Sequence, residues 1–458
     1  MTQDYSIKEI NRDVFSMIIP ISIEGVLQMI ASTVLMAMMG RVDVLAVNAV
    51  GVGTRVTQLL WAFVRGIGVG MTVTVAKDLG AKRQDKLRKN ALGGIVSLFC
   101  ITGFFSALIY IFASPIVRAF GGSENTITQS ISFMKIIAPA MPFWSILLTT
   151  AGILQGLGDA KTSMVLTSLY NLINITIGYV LIFGKLGFSP LGVVGAGWAM
   201  VISQVSMAVI SLSVLVYKGV FRNRKLDESS QELLEKYSTS AALKTLYKVG
   251  IPAAFENMLW QLGALAMMKP IISFGDYAYA AHQLAMQAES ISYMPTMGFG
   301  IAATSLIGRC CGAGELQKGK LYFDQIHKMM FRITLVIIGV MVIFPKQLMA
   351  ILTESPEIIS LGAWYLIITA ATLLPQNLYG VYCGALRGAG YTKLPMYMAF
   401  AGLWLVRVPL SFIFAYLIPG TTILYIWVAM GIDLVTRYTL SRLFYKKMDV
   451  FKETAVQA

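Results

Sequence analysis

The chain has 458 residues, of which 56% are hydrophobic and only 13% charged, and its mean hydropathy is +0.69. A soluble protein of this length carries about a quarter charged residues, so a water-soluble enzyme or binding domain is excluded. The formal charge of +14 does not indicate nucleic acid, because the basic residues lie in short connections between apolar stretches and no folded module presents them.

Apolar runs of spanning length predict twelve transmembrane helices in an all-α integral membrane fold. Their starts fall near Phe15, Ala49, Ala91, Ile131, Met164, Val193, Tyr247, Tyr279, Ile326, Ile358, Met396 and Ile423. The segment before the first, Met1 to Asp13, mixes Asp4, Lys8, Glu9, Arg12 and Asp13 and is not expected to be a cleaved signal. Alternate connections then differ in charge. One set carries Lys82, Arg83, Lys86, Arg88 and Lys89, then Lys218, Arg222, Arg224 and Lys225, then Lys318 and Lys320, then Lys446 and Lys447. The other holds little beyond Arg41, Arg118, Lys185 and Lys346. This asymmetry places the basic loops and both termini in the cytoplasm of a multi-pass plasma-membrane protein. Cys100 lies within a span, and Cys310, Cys311 and Cys383 lie at or near cytoplasmic helix ends, so no disulfide framework is implied.

The longest polar stretch runs from Lys218 to Lys248. It divides the chain into an N-lobe of helices 1–6 (residues 1–218), a cytoplasmic connector (219–246) and a C-lobe of helices 7–12 (247–458). The two lobes repeat one another at an offset of 232 residues (256 − 24 = 232). Ile19-Pro20 and Glu24 become Ile251-Pro252 and Glu256. Gly66 and Gly68 become Gly298 and Gly300, and Gly152, Gly156, Gly158 and Lys161 become Gly384, Gly388, Gly390 and Lys393. Six helices per copy is an even number, so the lobes are expected to be related by a pseudo-two-fold along the membrane normal. A duplicated membrane domain with a buried carboxylate in each copy is the layout of a secondary transporter.

Several of these runs resemble the multidrug and toxin extrusion (MATE) family of the wider flippase superfamily, and the likeness covers essentially the whole chain. They are the Gly-rich ends of the second and eighth helices, the run from Gly152 to Lys161, and its copy from Gly384 to Gly390 with Lys393. Leu405-Val406-Arg407-Val408-Pro409-Leu410 and Ala281-His282-Gln283 are further family-like pieces. The resemblance implies export of organic cations or amphipathic drugs and metabolites, in antiport with H⁺ or Na⁺ by alternating access. Ion-binding acids do not carry over. Leu35 stands where the archaeal-like branch has an Asp on the first helix, and Gly178 where it has a second, four residues after Asn174. Glu256 resembles the seventh-helix acid of the NorM-like branch, but no Asp lies between Ile358 and Leu386 to match its tenth-helix acid.

Residue chemistry therefore selects the candidates. A charge near the bilayer centre must be paired or face a cavity. Glu24 lies about 13 Å along the first helix at 1.5 Å per residue, on a polar stripe with Pro20, Gln28 and Ser32. It either neutralises Arg55 or Arg65 of the second helix or takes part in transport directly. In the C-lobe, Glu256 and Glu289 face one in-membrane cation, Arg407, which leaves one acid without a fixed partner. Such an acid keeps its proton, so Glu256, Glu289 and Glu24 are the expected coupling residues, with H⁺ favoured over Na⁺. Gln28, Asn174, Trp260, His282, Gln283, Gln287, Tyr293 and Arg407 are the candidate cavity and substrate contacts. Asp433 and Arg437, four apart on the last helix, are expected to neutralise one another.

The expected partners are a small cationic or amphipathic substrate and the bilayer. No cofactor other than the coupling ion is implied, and no phosphate-binding Gly-x-x-x-x-Gly-Lys-Ser/Thr loop is present for ATP. With two histidines and no nucleophile, base and orienting group together, an enzyme is not expected. The rival class is a lipid-linked oligosaccharide flippase of the same superfamily, which would use Arg55, Arg65 and Arg407 to hold a pyrophosphate.

Overall fold

A computed structural model describes residues 6–120, 123–221, 239–448 and 450–451, and every regular element among them is helical. Twelve long helices follow in order. The first copy holds α1 (Ile7–Gly40), α2 (Val44–Gly80), α3 (Gln84–Ile111), α4 (Glu124–Gly156), α5 (Ala160–Phe183) and α6 (Gly192–Tyr217). The second holds α7 (Thr239–Ile272), α8 (Asp276–Ala313), α9 (Leu316–Ile343), α10 (Pro356–Ala389), α11 (Lys393–Tyr416) and α12 (Ile423–Met448). Short helices Ala113–Phe120 and Pro345–Ala350 follow α3 and α9.

Ten of the twelve are long and apolar enough to cross a membrane. The other two, α7 and α8, are 34 and 38 residues long but more polar. They carry Glu256, Asn257 and Gln261, and His282, Gln283, Gln287 and Glu289. Several helices begin well before the point that hydropathy marks: α9 starts at Leu316 rather than near Ile326, and α1 at Ile7 rather than near Phe15. Hydropathy finds only the lipid-soluble part, and the added turns are polar ones reaching towards the headgroups. Side chains and glycines close the ends. Asp159 caps α5 by accepting from Thr162 N at 3.1 Å, and α5, α8 and α10 stop at Gly184, Gly314 and Gly390 in the left-handed region.

The repeat in the sequence is a repeat of structure. Helices α1 and α7 are both 34 residues and start 232 apart, and α3 and α9 are both 28 residues at the same offset. The repeated glycines mark where helices cross closely. In the first copy Thr72 Oγ1 of α2 donates to the Gly152 carbonyl of α4 at 3.1 Å, and a Cβ on Gly152 would collide with the Gly68 carbonyl. In the second, Thr304 Oγ1 of α8 donates to the Gly384 carbonyl of α10 at 3.2 Å, and a Cβ there would collide with Gly300. With lipid on one side instead of water, such small-residue crossings and interhelical hydrogen bonds hold helices together.

The chain divides into two compact units. One comprises Ile23–Leu79 and Arg83–Ala254, and the other Met1–Ser22, Gly80–Lys82 and Phe255–Ala458. The divisions cut α1 after Ser22 and α7 after Ala254, again 232 residues apart and just past Pro20 and Pro252. Within the first unit, Gly66 and Gly70 of α2 leave room for the backbone of α7 at Ala254 and Gly250, and Tyr247 Oη of α7 donates to Ser97 Oγ of α3 at 3.0 Å. Within the second, Gly298 of α8 admits Ile18 and Ser22 of α1, and Tyr322 Oη of α9 donates to Asp13 Oδ2 of α1 at 2.7 Å. Most of the expected connector, residues 222–238, lies outside the described residues, as do Arg222, Arg224 and Lys225.

Candidate functional site

Ionisable side chains inside the second unit form three linked groups. The deepest is built on α11 and α12. Asp433 is fully buried and receives the Arg437 fork, Nε to Oδ1 at 2.6 Å and Nη2 to Oδ2 at 2.5 Å. The i,i+4 pair expected from the sequence is therefore present. A seven-residue π-helical segment of α11, Ala401–Arg407, brings Arg407 Nε to 2.7 Å from Asp433 Oδ2. Such wide turns re-aim side chains at functional sites. Gly402 in this segment leaves the space that Asp433 and Arg437 fill. Trp260 of α7 offers its ring to the same cations, with Arg437 4.5 Å and Arg407 5.4 Å from the ring centre.

Glu256 forms the second group. Arg387 of α10 donates through Nη2 to both of its oxygens at 2.6 Å. The expectation that the C-lobe holds two acids against one arginine is thus corrected. Arg407 is committed to Asp433, and Arg387, which lies in the last turns of α10, reaches inward to Glu256. The signal was present in the repeat register, where Gln155 of the first Gly-rich run becomes Arg387 in the second. Tyr293 of α8 lies close enough for the Glu256 and Arg387 charges to act on it.

Glu289 of α8 is the third. Tyr365 Oη of α10 donates to its Oε2 at 2.6 Å, with Gln376 and the Arg407 charge also acting on it. Tyr365 packs edge-on against Trp427 and His282, at 5.2 and 5.6 Å between ring centres. Trp427 Nε1 donates to His282 Nδ1 at 3.2 Å, which requires that nitrogen to be unprotonated. Gln283 and Gln287 are exposed on α8, where Gln283 Nε2 donates to Tyr279 Oη at 2.7 Å.

The first unit treats its acid differently. Thr167 Oγ1 of α5 donates to Glu24 Oε1 at 2.9 Å, and Ser163 Oγ, one turn earlier, to Oε2 at 3.3 Å. Gln155 Nε2 of α4 donates in turn to Ser163 Oγ at 3.3 Å. Arg55 is exposed, and the charge of Arg65 acts on Glu24 beside the two hydroxyls. Gln28 is half-buried one turn further along α1, and Asn174 of α5 is buried with its Nδ2 unpartnered. The two positions where a related pattern has aspartates adjoin: the place a Cβ would take on Gly178 is 4.0 Å from Leu35 Cδ1. An apolar contact stands there.

Among the described residues no three His, Cys, Asp or Glu side chains gather as a metal site. A family model, MatE, matches residues 20–180 and 252–413, one segment in each repeat. The chain is 29% identical over 454 residues to the probable multidrug resistance protein NorM of Thermotoga maritima, covering 96% of this chain and 93% of that one. It is 28% identical over 462 residues to the probable multidrug resistance protein YoeA of Bacillus subtilis, covering 98% and 97%. The backbone superposes on a crystal structure of the Vibrio cholerae MATE transporter VcmN with a TM-score of 0.88 at 17% identity, over 98% of this chain and 99% of that one.

Proposed function

The chain belongs to the MATE family of membrane transporters, and from that premise we propose that it exports cationic or amphipathic small molecules across the plasma membrane by antiport with an inward-moving cation. The observation that carries this reading is the full-length similarity to relatives named as probable multidrug resistance proteins. The basic loops around Lys82 to Lys89 and Lys446-Lys447 support cytoplasmic termini.

The proton is the coupling ion in this proposal. Na⁺ at the archaeal-like position would need carboxylates, and Leu35 and Gly178 supply none. Glu289 is held by a neutral phenol instead of a dedicated cation, so it can gain and lose a proton without breaking an ion pair. Glu256, by contrast, is paired with Arg387 at 2.6 Å. The flippase reading rests on Arg55, Arg65 and Arg407, and of these Arg407 already faces the Asp433 carboxylate of the chain itself.

The test is uptake of a fluorescent organic cation into energised inverted vesicles, comparing a pH gradient with a Na⁺ gradient. Uptake that follows the pH gradient and stops with a protonophore is expected. Uptake that persists and scales with Na⁺ at fixed pH overturns the proton assignment, and no uptake of any cationic or amphipathic probe overturns the efflux reading.

A further inference from the structure

At equivalent positions of the two repeats the chain surrounds its buried glutamate with opposite chemistry. Glu256 meets the guanidinium of Arg387 at 2.6 Å, and the positions of α11 that match Ser163 and Thr167 of α5 in the repeat register hold Pro395 and Ala399, which offer no polar side-chain atom. Moving back 232 residues, Arg387 becomes Gln155, Pro395 becomes Ser163 and Ala399 becomes Thr167. The guanidinium at this position disappears, and three neutral oxygen-bearing side chains appear in the same change. All three take part in the Glu24 network: Thr167 at 2.9 Å, Ser163 at 3.3 Å, and Gln155 bonded to Ser163 at 3.3 Å.

From this reciprocal exchange we infer that the Glu24 cage is a binding site for a monovalent metal cation of the size of Na⁺, which takes the place that the Arg387 guanidinium fills in the other repeat. The ligands are the two carboxylate oxygens of Glu24 on α1, the hydroxyls of Ser163 and Thr167 on α5, and the side-chain carbonyl of Gln155 on α4 after the amide turns over. Thr167 Oγ1 and Ser163 Oγ already lie 2.9 and 3.3 Å from the two Glu24 oxygens, so four oxygens gather at one place. A bound cation would balance the Glu24 carboxylate, and a charge inside the membrane calls for such pairing. A transition metal would call for the nitrogen and sulfur ligands that are absent here. Ser163 and Thr167 are one turn apart on the same helix face, so one rigid element presents both. Arg65, exposed on α2, is the other charge acting on Glu24. The site lies 11 residues before Leu35 on α1, away from the acid positions of the related branch. It rests on the transporter reading only for its use and not for the binding itself.

The test measures binding apart from transport. Full-length protein is purified in detergent, and its Tm is followed by tryptophan fluorescence in NaCl, KCl or choline chloride at one ionic strength. A saturable rise in Tm with Na⁺ over choline is expected for the wild type and for Glu289→Gln. It should vanish in Glu24→Gln and fall by at least half in Thr167→Val. Gln155→Arg, which installs the cation of the second repeat, should melt at the same temperature in all three salts. Equal melting of the wild type in Na⁺ and choline overturns the inference, as does a Na⁺ response that survives in both Glu24→Gln and Gln155→Arg. Should Glu24→Gln fail to fold, ²³Na line broadening by wild type against Gln155→Arg decides, with equal broadening sinking the site. A protein that exports its substrate on a pH gradient but ignores Na⁺ refutes this site and leaves the proposed function standing. A Na⁺ response without any export does the reverse.

Discussion

Arg387 holds Glu256 through a single nitrogen, Nη2, placed 2.6 Å from each carboxylate oxygen. The pair joins α10 to α7 inside one compact unit, with the two side chains only 19% and 9% exposed. Removing one partner of such a pair leaves a charge with nothing to balance it. Glu256→Gln should therefore cost about 3–5 kcal/mol of stability and lower the yield of folded protein. The double variant Glu256→Gln with Arg387→Gln should regain most of that loss. Thermal melting in detergent checks this, and a single variant as stable as wild type would show the pair to be unimportant to the fold.

Asp433 is the more consequential acid for folding, because it answers two guanidiniums at once. Asp433→Asn would leave Arg407 and Arg437 facing each other across a neutral amide in a buried site. It should destabilise more than Glu256→Gln does. Adding Arg407→Met to Asp433→Asn should recover part of the loss by removing one of the two cations. The check is the order of Tm values among these three proteins.

The positions of the helices and of their duplication were legible in the sequence because both follow from local rules. Hydropathy marks the spans, and the 232-residue offset aligns Gly152 with Gly384 from the sequence alone. The partner of each acid was not legible in the same way. Glu256 and Arg387 lie 131 residues apart on different helices, so no spacing rule joins them. Arg387 lies in the last turns of α10, and its long stem can carry the charge inward from there. The Asp433–Arg437 pair was read correctly because it is local, four residues apart on one helix. The division of α1 and α7 after Ser22 and Ala254 has no sequence mark beyond the prolines that precede it.

The two glycine crossings should respond alike. Gly152→Ala and Gly384→Ala each put a methyl group against the carbonyl of a neighbouring helix, at Gly68 and Gly300. Overpacking of this kind costs about 1–3 kcal/mol, and the backbone on the far side has little room to yield. Both variants are expected to lower Tm by similar amounts. A drop confined to one of them would mean that the repeats differ in packing despite their common register.

Outside the spans, the Asp159–Lys218 clasp gives a pH signature. Burial pushes the Asp159 carboxyl up, but hydrogen bonds from Lys218 and from the Thr162 hydroxyl and backbone outweigh it, so its pKa lies below the ordinary aspartate value. A depressed folded-state pKa stabilises above the unfolded value of about 3.9 and is lost as pH falls through the folded value. Asp159→Asn should therefore lower Tm at pH 7, where the pair is partly exposed and worth about 1 kcal/mol or less. The difference from wild type should close as the pH falls below about 4. A gap that widens in acid would reverse the sign and remove the ion pair as its cause.

Glu289 and Tyr365 bear most directly on transport. Tyr365 Oη donates to Glu289 Oε2 at 2.6 Å, and a neutral Gln at 289 can accept the same bond through its carbonyl oxygen. Glu289→Gln is therefore expected to fold with a Tm close to that of wild type while losing proton-driven export, because the group that exchanges the proton is gone. Tyr365→Phe keeps the carboxylate and removes the donor that favours its charged form. The pH dependence of export should therefore differ from that of wild type. Initial rates of substrate uptake into inverted vesicles, measured across a pH series for wild type and both variants, check this. Full export by Glu289→Gln would return the residue to a packing role. An unchanged pH profile in Tyr365→Phe would show that the phenol does not tune the coupling step.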